Sequence, residues 1–363
     1  MQARHFIQTL VCPDCKNVLA EVIADSSSLG FVCSSCKMIF PLKDGILILL
    51  GKNGRNYKLE YELITEIRKE ASMHQIAWIS EYVANTLRSI ELSEDANKWE
   101  WEDEAFWDAT FRKREETGAQ KNWNDRIWQR MFLTDKLINE TTLRGKVILD
   151  LGCGEGQVFR SLLSHYCDTS TLYVACDISF EGLKLNRLLN THTNSLYVLS
   201  SGDKLPFHSR SADIICYFGL LHHLKGKASS LGEGRLVLKS GGYILIHEAL
   251  ERMSVPLLTK AYAKANEKSA HEETISKEAL LRQVSDRSAF RILAKREIGT
   301  VFFTCMMAFL RNLMINHKWF FHRVTSIDML LIRLFGRMLP WFEPNQIMLL
   351  VQELPAVQES VSL

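Results

Sequence analysis

Two CxxC pairs near the N-terminus have the residue types and the spacing of a metal site. Cys12 and Cys15 form the first pair, and Cys33 and Cys36 form the second after seventeen intervening residues. Because each CxxC turn directs two sulfurs at one point, two such turns complete a tetrahedral four-sulfur shell that suits Zn2+. An all-cysteine shell leaves no position for a catalytic water, so we predict a structural zinc. Free thiols and a redox CxxC are the alternatives, although redox motifs usually occur singly near a βαβ unit.

A glycine-rich loop in the middle of the chain has the composition of a cofactor site. An apolar run ends at Asp150 and leads into the loop glycines, after which Gln157 opens a predicted helix. A strand, a glycine turn and a helix N-terminus together form a crevice where doubly wound sheets bind ligands. Glycine lets the backbone approach a ligand closely and adopt positive φ. The glycines alone do not identify the cofactor, because dinucleotide-binding proteins share them.

Further polar residues follow the predicted strands after this loop. Asp177 ends the second strand, where an acid can accept both hydroxyls of a ribose. His222 and His223 follow the fourth strand, and His247 and Glu248 end the fifth, so these side chains are expected to face the same crevice. Strands alternate with helical stretches at βαβ spacing, which predicts an α/β fold.

Residues 146–248 resemble the core of the class I S-adenosylmethionine-dependent methyltransferases. The segments that carry the resemblance are V-I-L-D-L-G-C-G-E-G, D-K-L-P-F followed by S-A-D-I-I, and L-K-S-G-G-Y-I-L-I. The resemblance implies a Rossmann-like doubly wound seven-stranded sheet with S-adenosyl-L-methionine as cofactor. Its seventh strand, here Gln346 to Glu353, is antiparallel in the family, and the sixth is expected over Arg291 to Glu297.

The same resemblance implies roles for individual residues. Asp150 and the loop would surround the methionine part of the cofactor, Asp177 would hold the ribose, and Asp203 would bind the adenine amine. Leu205 and Phe218 would be apolar neighbours of the cofactor. The full cofactor set is Asp150, Gly152, Cys153, Gly154, Gly156, Asp177, Ile178, Asp203, Lys204, Leu205 and Phe218.

His222 or His223 is the candidate general base, because imidazole titrates near physiological pH and an oxygen or carbon nucleophile can need a base. The alternative is that the L-H-H segment only opens a helix, as it does in relatives with different substrates. His247 and Glu248 are weaker candidates at the same crevice.

The N-terminal segment resembles the zinc-ribbon modules that accompany methyltransferases. After the last cysteine pair it carries P-x-x-D-G-I-x-x-L-L, which predicts a turn at Asp44 and Gly45 and then an apolar strand. We therefore divide the chain into a zinc ribbon (1–50), a helical tryptophan-rich region on the substrate side (51–140), a methyltransferase core (141–300), an apolar helical insertion (301–345), and the last core strand with a tail (346–363).

Two of these regions leave alternatives open. Helices are predicted over 59–92, and the tryptophans of the second region either anchor its helices on the core or line a substrate pocket. They are Trp78, Trp99, Trp101, Trp107, Trp123 and Trp128.

A helix is also predicted over 255–265. The apolar insertion either enlarges the core, forms a lid over an apolar pocket, or contacts a membrane surface peripherally.

The amino-acid composition narrows the classes of function that the chain can have. The chain has 44 Lys and Arg against 42 Asp and Glu, which excludes a strongly basic nucleic-acid coat. No apolar run reaches the roughly 18 residues of a membrane span, and the first residues lack a signal-peptide pattern, so a cytoplasmic enzyme is expected. The leading hypothesis is methyl transfer to a small-molecule acceptor (a secondary metabolite, sugar or lipid-like compound), apolar or aromatic in character. An rRNA or tRNA base methyltransferase and a non-catalytic cofactor-binding scaffold are the alternatives; the sequence indicates no oligomeric state.

Overall fold

The computed structural model describes most of the chain, with gaps. The described residues are 6–24, 27–51, 57–73, 78–93, 98–117, 143–250, 275–284, 290–336, 338–339, 341 and 344–354. The predicted helix over 255–265 lies outside them, as do Trp123, Trp128 and the side chains of Trp99 and Trp101. None of the helices in these ranges is long and apolar enough to cross a membrane.

The described strands form a single mixed sheet in the order β1-β2-β3-β4-β7-β6-β5-β8-β9-β11-β10. Its last seven members are the predicted seven-stranded core, and β11 runs antiparallel between β9 and β10, as expected. The strands are β1 (Ala20–Ala24), β2 (Ser27–Cys33), β3 (Met38–Lys43), β4 (Ile46–Ile48), β5 (Val147–Leu151), β6 (Leu172–Asp177), β7 (Ser195–Leu199), β8 (Ala212–Phe218), β9 (Leu238–Ala249), β10 (Phe290–Ile298) and β11 (Gln346–Glu353).

The central strands are apolar along nearly their whole length because helices cover both faces of the sheet. Every residue of β6 is buried, as are four of the five in β5. Parallel strands buried on both faces read as continuous apolar runs, and this pattern made them visible in the sequence. The register places Asp150 of β5 beside Ala175 of β6 and Cys216 of β8, so the acid lies at the centre of the sheet.

The N-terminal ribbon continues the core sheet. The predicted turn joins β3 and β4, with φ of 50° at Asp44 and 73° at Gly45. β4 then pairs in parallel with β7, where Ile46 lies opposite Tyr197 and Ile48 opposite Leu199. The β7 edge of the seven-stranded core is thereby covered by main-chain hydrogen bonds, which removes an unpaired strand edge.

The described helices complete the two outer layers. They are α1 (Tyr57–Met73), α2 (Ile79–Ser93), α3 (Lys98–Thr117), α4 (Gln157–Ser161), α5 (Phe180–Leu189), α6 (Lys227–Val237), α7 (Lys277–Val284), α8 (Val301–Phe309), α9 (Arg311–Asn316) and α10 (Lys318–Phe335). α1 and α2 match the predicted helical periodicity, and their apolar residues share a core with the ribbon. α3 instead packs on α5, beside the glycine loop.

Helices α8, α9 and α10 occupy the predicted apolar insertion. Phe303, Met314 and Phe321 are buried in the same core as Met348 and Leu350 of β11. The buried carboxylate of Asp328 on α10 accepts the backbone N–H of Gly299 at 2.6 Å and ties α10 to the turn before α8. One side of the insertion therefore enlarges the core, as the first of the three alternatives predicted.

Candidate active site and metal centre

The four N-terminal cysteines converge on one point. Their sulfur atoms all lie within 4.8 Å of one another, and the Sγ of Cys15 is 3.4 Å from that of Cys33. The Sγ atoms of Cys12 and Cys36 are 4.0 Å apart. A tetrahedral zinc with bonds of about 2.3 Å to sulfur requires sulfur pairs about 3.8 Å apart, so the cluster fits Zn2+.

The turn that follows each CxxC pair explains how the sulfurs meet. Lys16 and Lys37, directly after the second cysteine of each pair, have φ of 61° and 54°. This left-handed conformation reverses the chain sharply, and the backbone N–H of Lys16 donates to the carbonyl of Cys12 at 2.9 Å. The backbone N–H of Cys36 donates to the Sγ of Cys33 at 3.4 Å.

The ribbon also contacts the loop between β7 and β8, which carries Asp203. The Nζ of Lys16 donates to the carbonyl of Leu205 at 3.0 Å and lies 2.6 Å from a carboxylate oxygen of Glu233. Lys204 faces Asp14 at 3.8 Å. Since Glu233 also accepts the backbone N–H of Leu205 at 3.1 Å, the ribbon and α6 hold this loop from two sides.

The glycine loop has the backbone conformation that only glycine adopts readily. Gly152, Gly154 and Gly156 have φ of 66°, 51° and 71°. A side chain at Gly156 would lie 2.2 Å from the amide oxygen of Asn186, so residue type is restricted there by space as well as by φ. The loop is anchored to β6, because the N–H groups of Gly152 and Cys153 both donate to the carbonyl of Cys176.

Two of the predicted cofactor acids lie beneath and beside this loop. Asp150 is buried in β5, and one of its oxygens accepts the hydroxyl of Tyr173 at 3.1 Å. Asp177 ends β6, and its carboxylate accepts the backbone N–H of Gly154 at 2.7 Å and of Ser179 at 2.8 Å. Burial raises the pKa of Asp177 to about 6, against the lowering effect of these two N–H donors.

The remaining members of the cofactor set differ in accessibility. Asp203 is half-buried and accepts the hydroxyl of Ser201 at 2.6 Å. Ile178 and Lys204 are half-buried, whereas Leu205 and Phe218 are buried in the two core clusters. Asp150, Asp177 and the loop glycines thus lie together at the ends of β5 and β6, and Asp203 follows β7, the next strand of the sheet, whereas Leu205 and Phe218 lie in the core.

Helix α3 covers the crevice with residues that the sequence motifs did not indicate. The ring of Phe111 lies against the glycine loop, since a Cβ added at Gly154 would be 2.8 Å from it. The carboxylate of Asp108 accepts the N–H of Glu181 at 3.2 Å, at the N-terminus of α5. Burial raises the pKa of Asp108. The sequence of α3 contains no recognisable motif. The one sequence signal that distinguishes it from the neighbouring segments is its acidic, aromatic composition.

Glu155 is a buried carboxylate within the glycine loop itself. Neither of its side-chain oxygens has a hydrogen-bond partner among the described residues. Burial raises its pKa, and the positive charges of Arg114 and Arg160 oppose that shift. The amide oxygen of Asn186 is likewise buried without a partner in the described part of the chain. Such unpaired acceptors beside the glycine loop suit a ligand that brings hydrogen-bond donors, as S-adenosylmethionine does.

A carboxylate–imidazole pair joins the ends of β8 and β9. The Nδ1 of His222 lies 2.7 Å from Oε2 of Glu248, which is fully buried. The Oε1 of the same carboxylate accepts the N–H groups of Leu220 at 2.9 Å and Leu221 at 2.7 Å. Because an ionised carboxylate only accepts, it holds His222 in the tautomer that donates from Nδ1 and keeps its lone pair on Nε2.

The loop that carries His222 contacts the glycine loop through the side chain of Leu220. A Cβ added at Gly152 would meet the side chain of Leu220 at 2.7 Å. The ring of His223 lies 4.0 Å from that of His222, and Trp107 of α3 meets His223 edge-on at 5.3 Å. Glu248, which sequence reasoning ranked below the histidines, is therefore the residue that orients His222, while His247 hydrogen-bonds Gln346 at 3.2 Å.

The core of the chain is similar to known methyltransferases. Residues 149–246 match the family model described as a methyltransferase domain. The chain is 27% identical over 177 residues to a malonyl-[acyl-carrier protein] O-methyltransferase from a Marinomonas species, covering 47% of this chain. It spans 62% of the length of that relative.

Two further similarities were found. A UPF0434 protein from Nitrosococcus oceani is 28% identical over 60 residues, which are 16% of this chain and 97% of that protein. Among solved structures, the complex between the Haloferax volcanii Trm112 methyltransferase activator and a putative methyltransferase aligns with a TM-score of 0.44 and 16% identity. That alignment covers 69% of this chain and 97% of the matched chain. Residues 149–246 therefore form a methyltransferase domain, and the four-cysteine cluster ahead of it is compatible with a zinc ribbon.

Proposed function

We propose that this chain transfers the methyl group of S-adenosylmethionine to an oxygen atom of a small-molecule acceptor. The observation that carries the proposal is the buried pair of Glu248 and His222 on a loop that touches the glycine loop through Leu220. A cofactor crevice and a proton acceptor thus share one edge of the sheet. The relative from Marinomonas is named as an O-methyltransferase, which supports an oxygen acceptor.

The residues of the crevice would divide the work of binding. Asp177 would accept the ribose hydroxyls and Asp203 the adenine amine, while the glycine loop and Asp150 would surround the methionine part. When bound, S-adenosylmethionine supplies an electrophilic methyl on a sulfonium sulfur, so catalysis depends mainly on alignment in a water-poor site. Phe111 and Trp107 of α3 would exclude water from the side opposite the sheet.

His222 would act as the general base. Its Nε2 lone pair would take the proton from the acceptor hydroxyl as oxygen attacks the methyl carbon, and the positive charge that develops on the ring would be stabilised by Glu248. The products are the methyl ether or ester, S-adenosylhomocysteine and a proton that the ring releases to solvent.

A small acceptor is favoured over RNA by the charge beside the crevice. Helix α3, which covers the crevice, carries seven acids and four bases between residues 98 and 117, and two of these acids, Asp103 and Glu104, are buried. The net negative charge of this helix repels a phosphate backbone, whereas nucleic-acid enzymes present a basic surface. The zinc that we assign to Cys12, Cys15, Cys33 and Cys36 would be structural, holding the ribbon on β7.

The test uses S-adenosylmethionine labelled with a trideuteriomethyl group. The purified chain is incubated with the small-molecule fraction and, separately, with the RNA fraction of a bacterial extract, and both are analysed by mass spectrometry. We expect the label in a small molecule and not in nucleosides, and far less of it with Glu248→Gln. Label confined to a nucleoside would contradict the small-acceptor proposal, and S-adenosylhomocysteine binding without any label transfer would contradict catalysis.

A further inference from the structure

The insertion has an outer side that the core does not use. Among the described residues, seventeen large apolar side chains are exposed, and ten of them lie between residues 309 and 341. Phe309 is 81% exposed, Met338 is 78% exposed and Trp319 is 65% exposed. Isolated exposed apolar residues are common on protein surfaces, but a concentration of this kind marks an interaction site.

On helix α10 these residues form one stripe. Trp319, Ile327, Leu330 and Leu334 are exposed, and at 3.6 residues per turn they lie within an arc of about 80°. Phe321, Val324, Thr325 and Asp328 are buried on the opposite side of the helix. Helix α10 therefore has apolar residues on two opposite faces. One face fills the core, and the other presents tryptophan, isoleucine and leucine to the outside.

The exposed charged side chains described on α10 are basic. Residues 301–345 contain five Lys and Arg and two acids, of which Asp328 is buried and bonded to Gly299 and Thr300. Arg323 lies within the arc of the stripe, and Arg333 is exposed at its edge. An apolar stripe bordered by two exposed arginines is complementary to an anionic lipid bilayer, whose headgroups attract arginine while the acyl region accepts the apolar side chains.

Tryptophans stand at both ends of this surface. Trp319 lies in the first turn of α10, and Trp341, which is 56% exposed, follows its end. Indole rings prefer the boundary between headgroups and acyl chains, so two of them at the ends of a helix favour an orientation parallel to the membrane plane. Since no helix in the described ranges can span a membrane, the contact would be peripheral.

We propose that the outer face of α10, together with Met338 and Trp341, docks onto the surface of a bilayer containing anionic phospholipid. The arginines contact phosphate and carboxylate groups of the lipid, and the apolar stripe inserts to the depth of the upper acyl chain. The contact is independent of methyl transfer, and it places the methyltransferase domain beside a membrane.

The test is flotation of the full chain with vesicles of phosphatidylcholine, with and without about 30 mol% phosphatidylserine. We expect binding to the anionic vesicles that weakens with added salt. Leu330→Glu combined with Leu334→Glu should weaken it at least tenfold, and Arg323→Gln combined with Arg333→Gln by about thirtyfold. The matched control is Leu188→Glu on α5, since Leu188 is 70% exposed, against 53% for Leu330 and 55% for Leu334, and is the single exposed large apolar residue of that helix; it should bind as the wild type does.

A second measurement removes dependence on the folding of the charged variants. Brominated phosphatidylcholine should quench the tryptophan fluorescence of the wild type, and Trp319→Phe with Trp341→Phe should lose most of that quenching while still floating. Absence of flotation on anionic vesicles at low salt would overturn the proposal. So would loss of binding in Leu188→Glu, or a dimer in sedimentation velocity that Leu330→Glu dissociates while vesicle binding is unchanged.

Discussion

Replacing Glu248 by glutamine separates the role of this residue as a scaffold from its role in proton transfer. In the wild type, Oε1 accepts two backbone N–H groups and Oε2 faces the Nδ1 of His222. A glutamine oxygen can still accept both N–H groups, but its amide nitrogen must then donate to Nδ1. His222 would be forced into the other tautomer, with its proton on Nε2 and no lone pair for the acceptor.

The structure sets the size of both effects. Loss of a general base costs about 100- to 10,000-fold in rate, so kcat for the labelled methyl transfer should fall within that range. Stability should fall by only about 1–2 kcal/mol, because hydrogen bonds to a charged acceptor become bonds to a neutral one while both backbone N–H groups remain paired. Urea unfolding measures the second quantity. Calorimetry with S-adenosylhomocysteine should give an unchanged affinity, since Glu248 is not in the cofactor set.

The tautomer itself can be observed. Nitrogen NMR of the His222 ring should report a protonated Nδ1 in the wild type and a protonated Nε2 in Glu248→Gln. His222→Gln should reduce kcat as much as Glu248→Gln, and the double variant should be no slower, because two residues that act as a unit are not additive. A Glu248→Gln rate within threefold of the wild type would refute the assignment of His222 as base and leave Glu248 as a loop anchor.

The other predictions concern cofactor affinity and the ribbon. Burial raises the pKa of Asp177 to about 6, and its carboxylate form would accept the ribose hydroxyls. Affinity for S-adenosylhomocysteine should therefore be full above about pH 7 and fall about tenfold by about pH 5. Calorimetry should find no such pH dependence in Asp177→Asn, and a pH dependence that persists there would belong to another group. Metal analysis should give one zinc per chain, and its removal by a chelator should lower the thermal unfolding midpoint by several degrees; an unchanged midpoint in zinc-free protein would contradict a structural metal. Lys16→Ala, which frees the carbonyl of Leu205, should weaken cofactor binding several-fold in calorimetry with little change in the unfolding midpoint, whereas unchanged affinity would mean that the ribbon does not position the Asp203 loop.

Local patterns in the sequence were enough to predict the core sheet and the convergence of the four N-terminal cysteines. The continuous apolar runs of strands β5 to β9 predict a parallel sheet buried on both faces. Each CxxC pair is a local turn whose chemistry does not depend on distant residues. Ser276 precedes α7, and its hydroxyl accepts the N–H of Ala279 in the first turn, as a serine cap does. Each of these features is determined by residues that are close together in the sequence, so general rules for strands, turns and helix caps predict it.

Features that depend on long-range packing were not predictable in this way. The pairing of β4 with β7 joins residues about 150 positions apart, and no local signal specifies it. The position of Phe111 over Gly154 likewise depends on how α3 crosses α5. Glu248 was visible only as the last acid of a strand, because its partner His222 is brought to it by the fold.

Calorimetric titration of the zinc-loaded full chain with S-adenosylhomocysteine tests whether the crevice beside the glycine loop binds the cofactor. We expect one binding site per chain, and loss of that binding in Gly156→Val, where a side chain would collide with Asn186. Leu188→Glu, on the exposed side of the neighbouring helix, should bind as the wild type does. Absence of binding in the folded wild type, or full affinity in folded Gly156→Val, would contradict the assignment of this crevice to S-adenosylmethionine.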